Sequence, residues 1–237
     1  MNLNKQVVII TGGAGFLGKH FCDLICDYGG TPIILDNNIK AGSALSKRLS
    51  KKYKKNIKYY DVDITKENEV KLVSQDIIKI YSKIDSLVNN AAINPTSNSI
   101  NNKNFLLENF SMKQFVDEVD VGLKGALICT KIFGKYFAKQ KKGNIVNISS
   151  DLGIIAPNQN IYNIDKKNKN VKPVTYSIIK FGLIGLTKYT STYWANKNIR
   201  CNAIAPGGVQ NNQDKKFIKK VSNLIPMGRL AKKEEIG

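Results

Sequence analysis

Thr11-Gly12-Gly13-Ala14-Gly15-Phe16-Leu17-Gly18 stands between the apolar run Val7-Val8-Ile9-Ile10 and an amphipathic stretch over 17–28 that closes at Gly29-Gly30. The run has the length and composition of a strand buried on both faces, and the stretch has the period of a helix. Glycines at such a junction let the chain turn tightly and bring its backbone close to a ligand. A pyrophosphate can then sit on the helix N-terminus, where unpaired N–H groups and the helix dipole favour negative charge. Gly12, Gly13, Gly15, Phe16, Leu17 and Gly18 are therefore candidate dinucleotide-binding positions. Asp36 ends the next apolar run, 18 residues past Gly18. A carboxylate there accepts hydrogen bonds from the adenosine ribose hydroxyls and repels a 2′-phosphate, so NAD is the preferred cofactor and NADP a possible one.

The same alternation continues outward. Short apolar runs at 33–35, 57–61, 86–88, 145–148 and 200–204 read as further strands. Amphipathic stretches at 44–55, 67–81, 115–139 (one helix or two) and 174–195 read as helices between them. Continuous apolar strands separated by helices predict an α/β protein, a Rossmann-type doubly wound parallel sheet in three layers. No repeat or linker interrupts the pattern, so residues 1–237 are expected to form a single NAD(P)-binding domain. Two polar, Asn-rich stretches, 94–104 and 157–173, break the rhythm and read as long loops, which in a compact domain often carry function.

Composition narrows the classes. Hydrophobic residues make up 42% and charged residues 23%, ordinary values for a globular domain. No apolar run approaches the ~18 residues of a membrane span, and the N-terminus leads into the first strand without a cleavage site. A cytoplasmic protein with no membrane partner is expected. The net charge is +19, yet Arg48, Arg200 and Arg229 are the only arginines among 37 basic residues. The lysines are scattered and not interleaved with aromatics, so the charge reads as solvated surface rather than a specific nucleic-acid face. Cys22, Cys26, Cys129 and Cys201 form no Cys-x-x-Cys pair, and His20, Cys22 and Cys26 lack a fourth ligand, so no metal site is expected.

Taken in order along the chain, the motifs resemble those of the short-chain dehydrogenase/reductase family over nearly the whole length. Besides the glycine loop and Asp36, Asp63-Ile64 falls where that family holds the adenine. Asn89-Asn90-Ala91-Ala92 resembles the family's Asn-Asn-Ala-Gly, with Asn89, Ala91 and Ala92 as cofactor-binding candidates. Asn144-Ile145-Val146-Asn147-Ile148-Ser149-Ser150 resembles the strand that carries the catalytic serine, here Ser150. Tyr176-Ser177-Ile178-Ile179-Lys180 resembles the Tyr-x-x-x-Lys site, and Pro206-Gly207-Gly208-Val209 the turn that meets the nicotinamide through Pro206, Gly207 and Val209. The resemblance implies an NAD(P)-dependent oxidoreductase interconverting a secondary alcohol and a ketone, assembled as a homodimer or homotetramer.

Tyr-x-x-x-Lys alone decides nothing in so lysine-rich a chain, because Tyr162/Lys166, Tyr176/Lys180 and Tyr193/Lys197 all satisfy it. The distance from Ser150 even favours Tyr162, since family members place the tyrosine ~13 residues on. Local pattern points to Tyr176. Phe181, Leu183, Ile184 and Leu186 follow it as an apolar helical stripe that would hold Tyr176 and Lys180 one turn apart on one face. Asn163, Asp165, Lys166 and Lys167 after Tyr162 read as a solvated loop, and Tyr193 beside Trp194 as packing. A free phenol is too weak a base at neutral pH, so Lys180 would stabilise the phenolate and also hold the nicotinamide ribose. Ser150 would orient the reacting oxygen.

Three departures from the family stand out. Phe16 occupies a glycine position of the compact members. Gly122 stands where the fourth catalytic residue, an Asn, is expected, with Asp120 nearby as a possible substitute. Asn211 replaces a Thr that often contacts the carboxamide. Both polar loops fall at the C-terminal rim of the sheet, with 157–173 inserted between Ser150 and Tyr176. Asn94, Asn158 and Tyr162, together with Ser150, are the candidate substrate contacts, and their polarity predicts a small carbohydrate, a sugar or amino-sugar derivative. The motif set also resembles oxidoreductases of bacterial surface-sugar and flagellin-modification pathways. Because the family usually continues ~20 residues further, a C-terminally shortened chain without its last strand is expected. A cofactor-binding homologue with weak or no catalysis, serving as a partner subunit, is the alternative reading.

Overall fold

Six strands, all parallel, lie side by side in the order β3-β2-β1-β4-β5-β6 in the computed structural model, which describes residues 2–93, 105–163 and 170–237. They are β1 (Val7–Thr11), β2 (Thr31–Asp36), β3 (Tyr59–Asp61), β4 (Ser86–Asn89), β5 (Gly143–Ile148) and β6 (Ile199–Ile204). Helices α1 (Phe16–Asp27), α2 (Ile39–Tyr53), α3 (Glu67–Tyr81), α4 (Met112–Val119), α5 (Gly125–Gln140), α6 (Val174–Tyr193) and α7 (Lys215–Ser222) connect or follow them. The order reverses between β1 and β4, so the C-terminal ends of these two strands open a crevice at the switch point. Among the described residues no helix is long and apolar enough to cross a membrane.

Alternation within the strands splits the core between the two sheet faces. Ile9, Ile33, Leu35, Leu87 and Ile145 point to one face and pack with Ile77 of α3 and Phe133 and Phe137 of α5. Val8, Ile10, Ile34 and Ile148 point to the other and meet Phe21 and Ile25 of α1 and Leu45 and Leu49 of α2. Every residue of β1 is buried, because the strand is central and covered on both sides. Ile9 pairs with Ile33 and Leu87, and Val88 pairs with Ile10 and Val146, so neighbouring strands bring their loops to one rim.

The expected elements are all present, with shifted ends. The second helix begins at Ile39 rather than 44, because the Asn38 side chain accepts the Ala41 N–H and caps it. The stretch at 115–139 is α4 and α5 joined by a π-helical turn, Asp120–Lys124. One helix lies beyond the stretches expected from the pattern: Lys215–Ser222, which Asp214 caps by accepting the Lys216 and Phe217 N–H groups. Two tentative features, the loop 94–104 with Asn94 and the Lys166 partner of Tyr162, lie outside the described residues.

Candidate active site

A cleft of about 1010 Å³ runs along the C-terminal rim of the sheet from the glycine loop to the N-terminal turn of α6. At one end Gly12, Gly15, Phe16 and Leu17 form its wall with Asp36, Asp63, Ile64, Ala91 and Ala92. The loop is built by close backbone contact. Gly12 has φ +60, and a Cβ there would stand 2.8 Å from Ala91 Cα. A Cβ on Gly18 would stand 2.2 Å from the Gly12 carbonyl oxygen, so Gly18 lets α1 sit under the turn. Gly13 is packed against Ile10 and Ile34. Gly13 and Gly18 therefore shape the loop from below and do not line the cleft.

Asp36 joins the loop to its strand. One carboxylate oxygen accepts the Ala14 N–H at 2.9 Å, and the other accepts the Asn38 N–H at 2.9 Å. The Asn90 amide performs the same service from the other side, donating to the Thr11 and Gly12 carbonyls at 3.1 and 3.0 Å. Asn90 was not singled out from sequence. Its neighbour Asn89 was, yet the Asn89 side chain turns into the core and donates to Thr130 at 3.0 Å and Asn147 at 2.8 Å. Asn147 in turn donates to Thr187 at 2.8 Å, so a buried amide chain ties β4, β5, α5 and α6.

At the other end Ser150, Tyr176 and Lys180 line the same cleft with Pro206, Gly207 and Val209. The turn after β5 and the first turns of α6 are fastened together. Ser149 Oγ donates to the Lys180 carbonyl at 2.8 Å, and Lys180 Nζ donates to the Ile148 carbonyl at 2.7 Å. Gly153 permits this approach, since a Cβ there would stand 2.7 Å from the Lys180 carbonyl oxygen. Lys180 is 7% exposed, and burial lowers its pKa to about 8. Burial pushes the Tyr176 phenol up, with the Ser150 hydroxyl beside it working the other way and the Asp151 carboxylate adding to the rise. Ser150 Oγ itself donates to Asp151 at 2.7 Å and accepts the Leu152 N–H at 3.2 Å.

The described parts of the insertion, 157–163 and 170–173, lie against the cleft, and Asn158 and Tyr162 line it as expected. Tyr162, however, is not on a solvated loop. It ends a short 3-10 turn, Gln159–Tyr162, is 7% exposed, and its ring packs against Phe217 of α7 at 5.5 Å between centroids. The unanticipated helix is the reason: α7 supplies an apolar face that the local sequence around Tyr162 lacks. Burial, then Tyr176 and Asp151, raise the Tyr162 phenol further than that of an exposed tyrosine. Tyr193 packs edge-on against Trp194 as expected, at 5.1 Å between centroids, and also stacks on Tyr189, although it stays 60% exposed.

The departure at Gly122 resolves by packing. A Cβ on Gly122 would stand 2.8 Å from Ile179 Cγ2, so glycine lets the π-helical turn meet α6. Asp120 does not compensate for the missing Asn side chain, because it is bound to Lys124 and lies outside the cleft wall. The carboxylate that does approach is Glu118, 4% exposed, which accepts from Gln114 Nε2 at 2.8 Å and from the Thr175 hydroxyl. Sequence reasoning also missed Lys172, which faces Tyr176, and Asp151. Lys172 sits four residues before Tyr176, just ahead of α6, a position hidden by the abundance of lysine.

A family model described as short chain dehydrogenase matches residues 6–221. The 3-oxoacyl-(acyl-carrier-protein) reductase FabG of Thermotoga maritima is 30% identical over 247 residues, covering 100% of this chain and 89% of its own. The post-translational flagellin modification protein A of Campylobacter coli is 29% identical over 218 residues, 92% of this chain and 82% of the relative. The solved structure of ElxO with NADP bound has a TM-score of 0.80 at 27% identity, covering 96% of this chain and 86% of that one. The crystal structure of NAD+-bound xylitol dehydrogenase has a TM-score of 0.82 at 22% identity, covering 100% and 90%, a likeness of fold.

Proposed function

This chain belongs to the short-chain dehydrogenase family and is an oxidoreductase, and from that footing we propose that it interconverts a secondary alcohol and a ketone on a small polar substrate. The observation that carries the reading is the single cleft joining the glycine loop to Ser150, Tyr176 and Lys180. The residues fit a nicotinamide dinucleotide. Gly12, Gly15, Phe16 and Leu17 wall the cleft where the pyrophosphate would lie, and the Asp36 carboxylate stands at the rim beside them. Bound there, such a cofactor supplies the hydride acceptor or donor. NAD or NADP serves, and Asp36 favours NAD, because a 2′-phosphate would meet its charge.

The protein's own groups then move the proton. Tyr176 takes it from the carbinol in oxidation and returns it to the oxygen in reduction. Lys180 is a buried cation one turn along α6 that favours the phenolate. Ser150, fixed by Asp151, orients the reacting oxygen. Asn158, Asn170, Asn211 and Gln213 on the cleft wall suit a substrate with several hydroxyls. The flagellin modification relative and the NAD-dependent glycerol dehydrogenase of Listeria innocua, 26% identical, support a sugar or amino-sugar derivative. The FabG relatives favour a second reading, a 3-oxoacyl thioester. Leu127 of α5 and Phe181 of α6, both about half exposed, are the faces on which a homodimer or homotetramer would form.

A dehydrogenase screen over sugars, sugar phosphates, nucleotide sugars and a 3-oxoacyl thioester, with both cofactors, tests the reading. Turnover of a sugar class with NAD is expected. Turnover confined to the thioester would transfer the chemistry to the second substrate. NADH binding without any turnover would favour a non-catalytic partner subunit, and no dinucleotide binding would overturn the assignment.

A further inference from the structure

Lys172 is held more firmly than a loop lysine should be. Its backbone N–H donates to Gln159 Oε1 at 2.8 Å, and its carbonyl accepts from Gln159 Nε2 at 3.5 Å, so one side-chain amide clamps both sides of the residue. Pro173 follows and sets the extended entry into α6, with ψ 142. From this fixed point the side chain turns inward, and Nζ lies 3.6 Å from the centroid of the Tyr176 ring. Lys180 Nζ lies 5.6 Å from the same centroid. Among the described residues the Lys172 ammonium meets no hydrogen-bond acceptor, so the ring face is its partner. A cation on the face of an aromatic ring is attracted to the ring's negative quadrupole, and far more to the ring once it carries a full negative charge.

We propose that Lys172 is a positioning residue for Tyr176, a second ammonium that stabilises the phenolate formed when the tyrosine releases its proton. The surroundings need such a group. Burial and Asp151, on the turn after β5, both oppose the phenolate, and Ser150 on that turn gives only partial relief. Lys180 on α6 is already spending one N–H on the Ile148 carbonyl. Tyr162 from the 3-10 turn is a raised, neutral phenol that brings no positive charge, and Glu118 on α4 is a carboxylate whose charge acts on Lys172. Burial, with Lys180 next, lowers Lys172 to about 8, and Asp151 and Glu118 pull the other way. Lys172 is therefore protonated at neutral pH, and its support is lost as pH rises through about 8.

The inference rests on the reading of Tyr176 as the acid–base, and its test is the pH profile of kcat on the substrate that the screen yields. Replacing Lys172 by Met, which keeps the length and loses the charge, is expected to lower kcat about tenfold at pH 7 with KM little changed. The two curves converge above about pH 8, where Lys172 of the wild type is itself neutral. Lys172→Arg is expected to restore most of the rate and to hold it above pH 8, which a merely structural role would not do. Lys172→Gln serves as a second neutral variant should the Met form not fold. Coincident curves for wild type and the neutral variants would overturn the proposal. Failure of the underlying reading is distinct: it would show as full turnover in Tyr176→Phe.

Discussion

At the glycine-loop end the cleft is walled by backbone between Gly12 and Leu17, one continuous stretch. At the tyrosine end Ser150 comes from the turn after β5 to meet Lys172, just ahead of α6, and Tyr176 and Lys180 within it, and polar side chains make the wall. The first end is limited by space, because an added methyl group has nowhere to go. The second is limited by charge, because two ammonium groups and a phenol share a low-dielectric pocket. The comparison predicts that the glycine-loop end fails through added volume and the tyrosine end through lost polar atoms.

The sharpest test removes a single oxygen. Tyr176→Phe should lower turnover by about 10³-fold or more while NADH affinity stays within about threefold, measured by steady-state kinetics and fluorescence titration. Tyr162→Phe should keep turnover within a few-fold. The reverse outcome would move the acid–base to the 3-10 turn and break the comparison at that end.

Next in size is the steric test. Gly18→Ala forces a Cβ toward the Gly12 carbonyl oxygen, and NADH affinity should fall by about 100-fold, about 2.7 kcal/mol. Gly185→Ala is the control: it lies within α6 with nothing within 4 Å of its Cβ, and should be neutral or stabilise by up to about 1 kcal/mol. Equal effects of the two substitutions in urea unfolding and NADH titration would mean that space does not govern the loop.

A smaller loss is expected where the two ends are joined. Asn147→Ala strands the Asn89 amide in the core and should cost about 2 kcal/mol in urea denaturation. Lys172→Met should instead gain about 1–2 kcal/mol at pH 7, because a cation disfavoured by burial is removed. The sign follows from a folded-state pKa of about 8 against ~10.4 unfolded. The penalty is fully present below pH 8 and relieved as pH rises toward ~10.4, so the gain should shrink over that window. Gln159→Ala, which only loosens the clamp on Lys172, should change stability by about 0.5 kcal/mol and lower kcat at pH 7 by less than Lys172→Met does.

The two ends also differ in how they could be read. The loop, Asp36 and the helix at Glu67–Tyr81 were legible because their signals are local: glycine spacing, a strand-end carboxylate, an unbroken amphipathic period. The Tyr176 and Lys180 pair was legible from the apolar stripe after it. Tyr162 was misread as solvated, since the Phe217 ring that covers it is 55 residues away in sequence. The helix that carries Phe217 was masked by lysines at 215, 216, 219 and 220, although Phe217, Ile218 and Val221 give it an apolar side. Asn89 and Asn90 could not be told apart, because strand alternation sends one into the core and leaves the next at the rim.

By itself, the sequence determined the parallel sheet, the phosphate-sized turn under Gly12 to Gly18 and the tyrosine helix. Each depends on periodicity or backbone freedom within a dozen or so residues. Tertiary structure alone decided which polar groups meet. It placed Phe217 on the Tyr162 ring, joined the Asn89 amide to Asn147, and made Gly122 a contact for Ile179. Those outcomes depend on burial and on distances between segments far apart in the chain. The energy of a buried charge is set by what surrounds it in space, not by its neighbours in sequence.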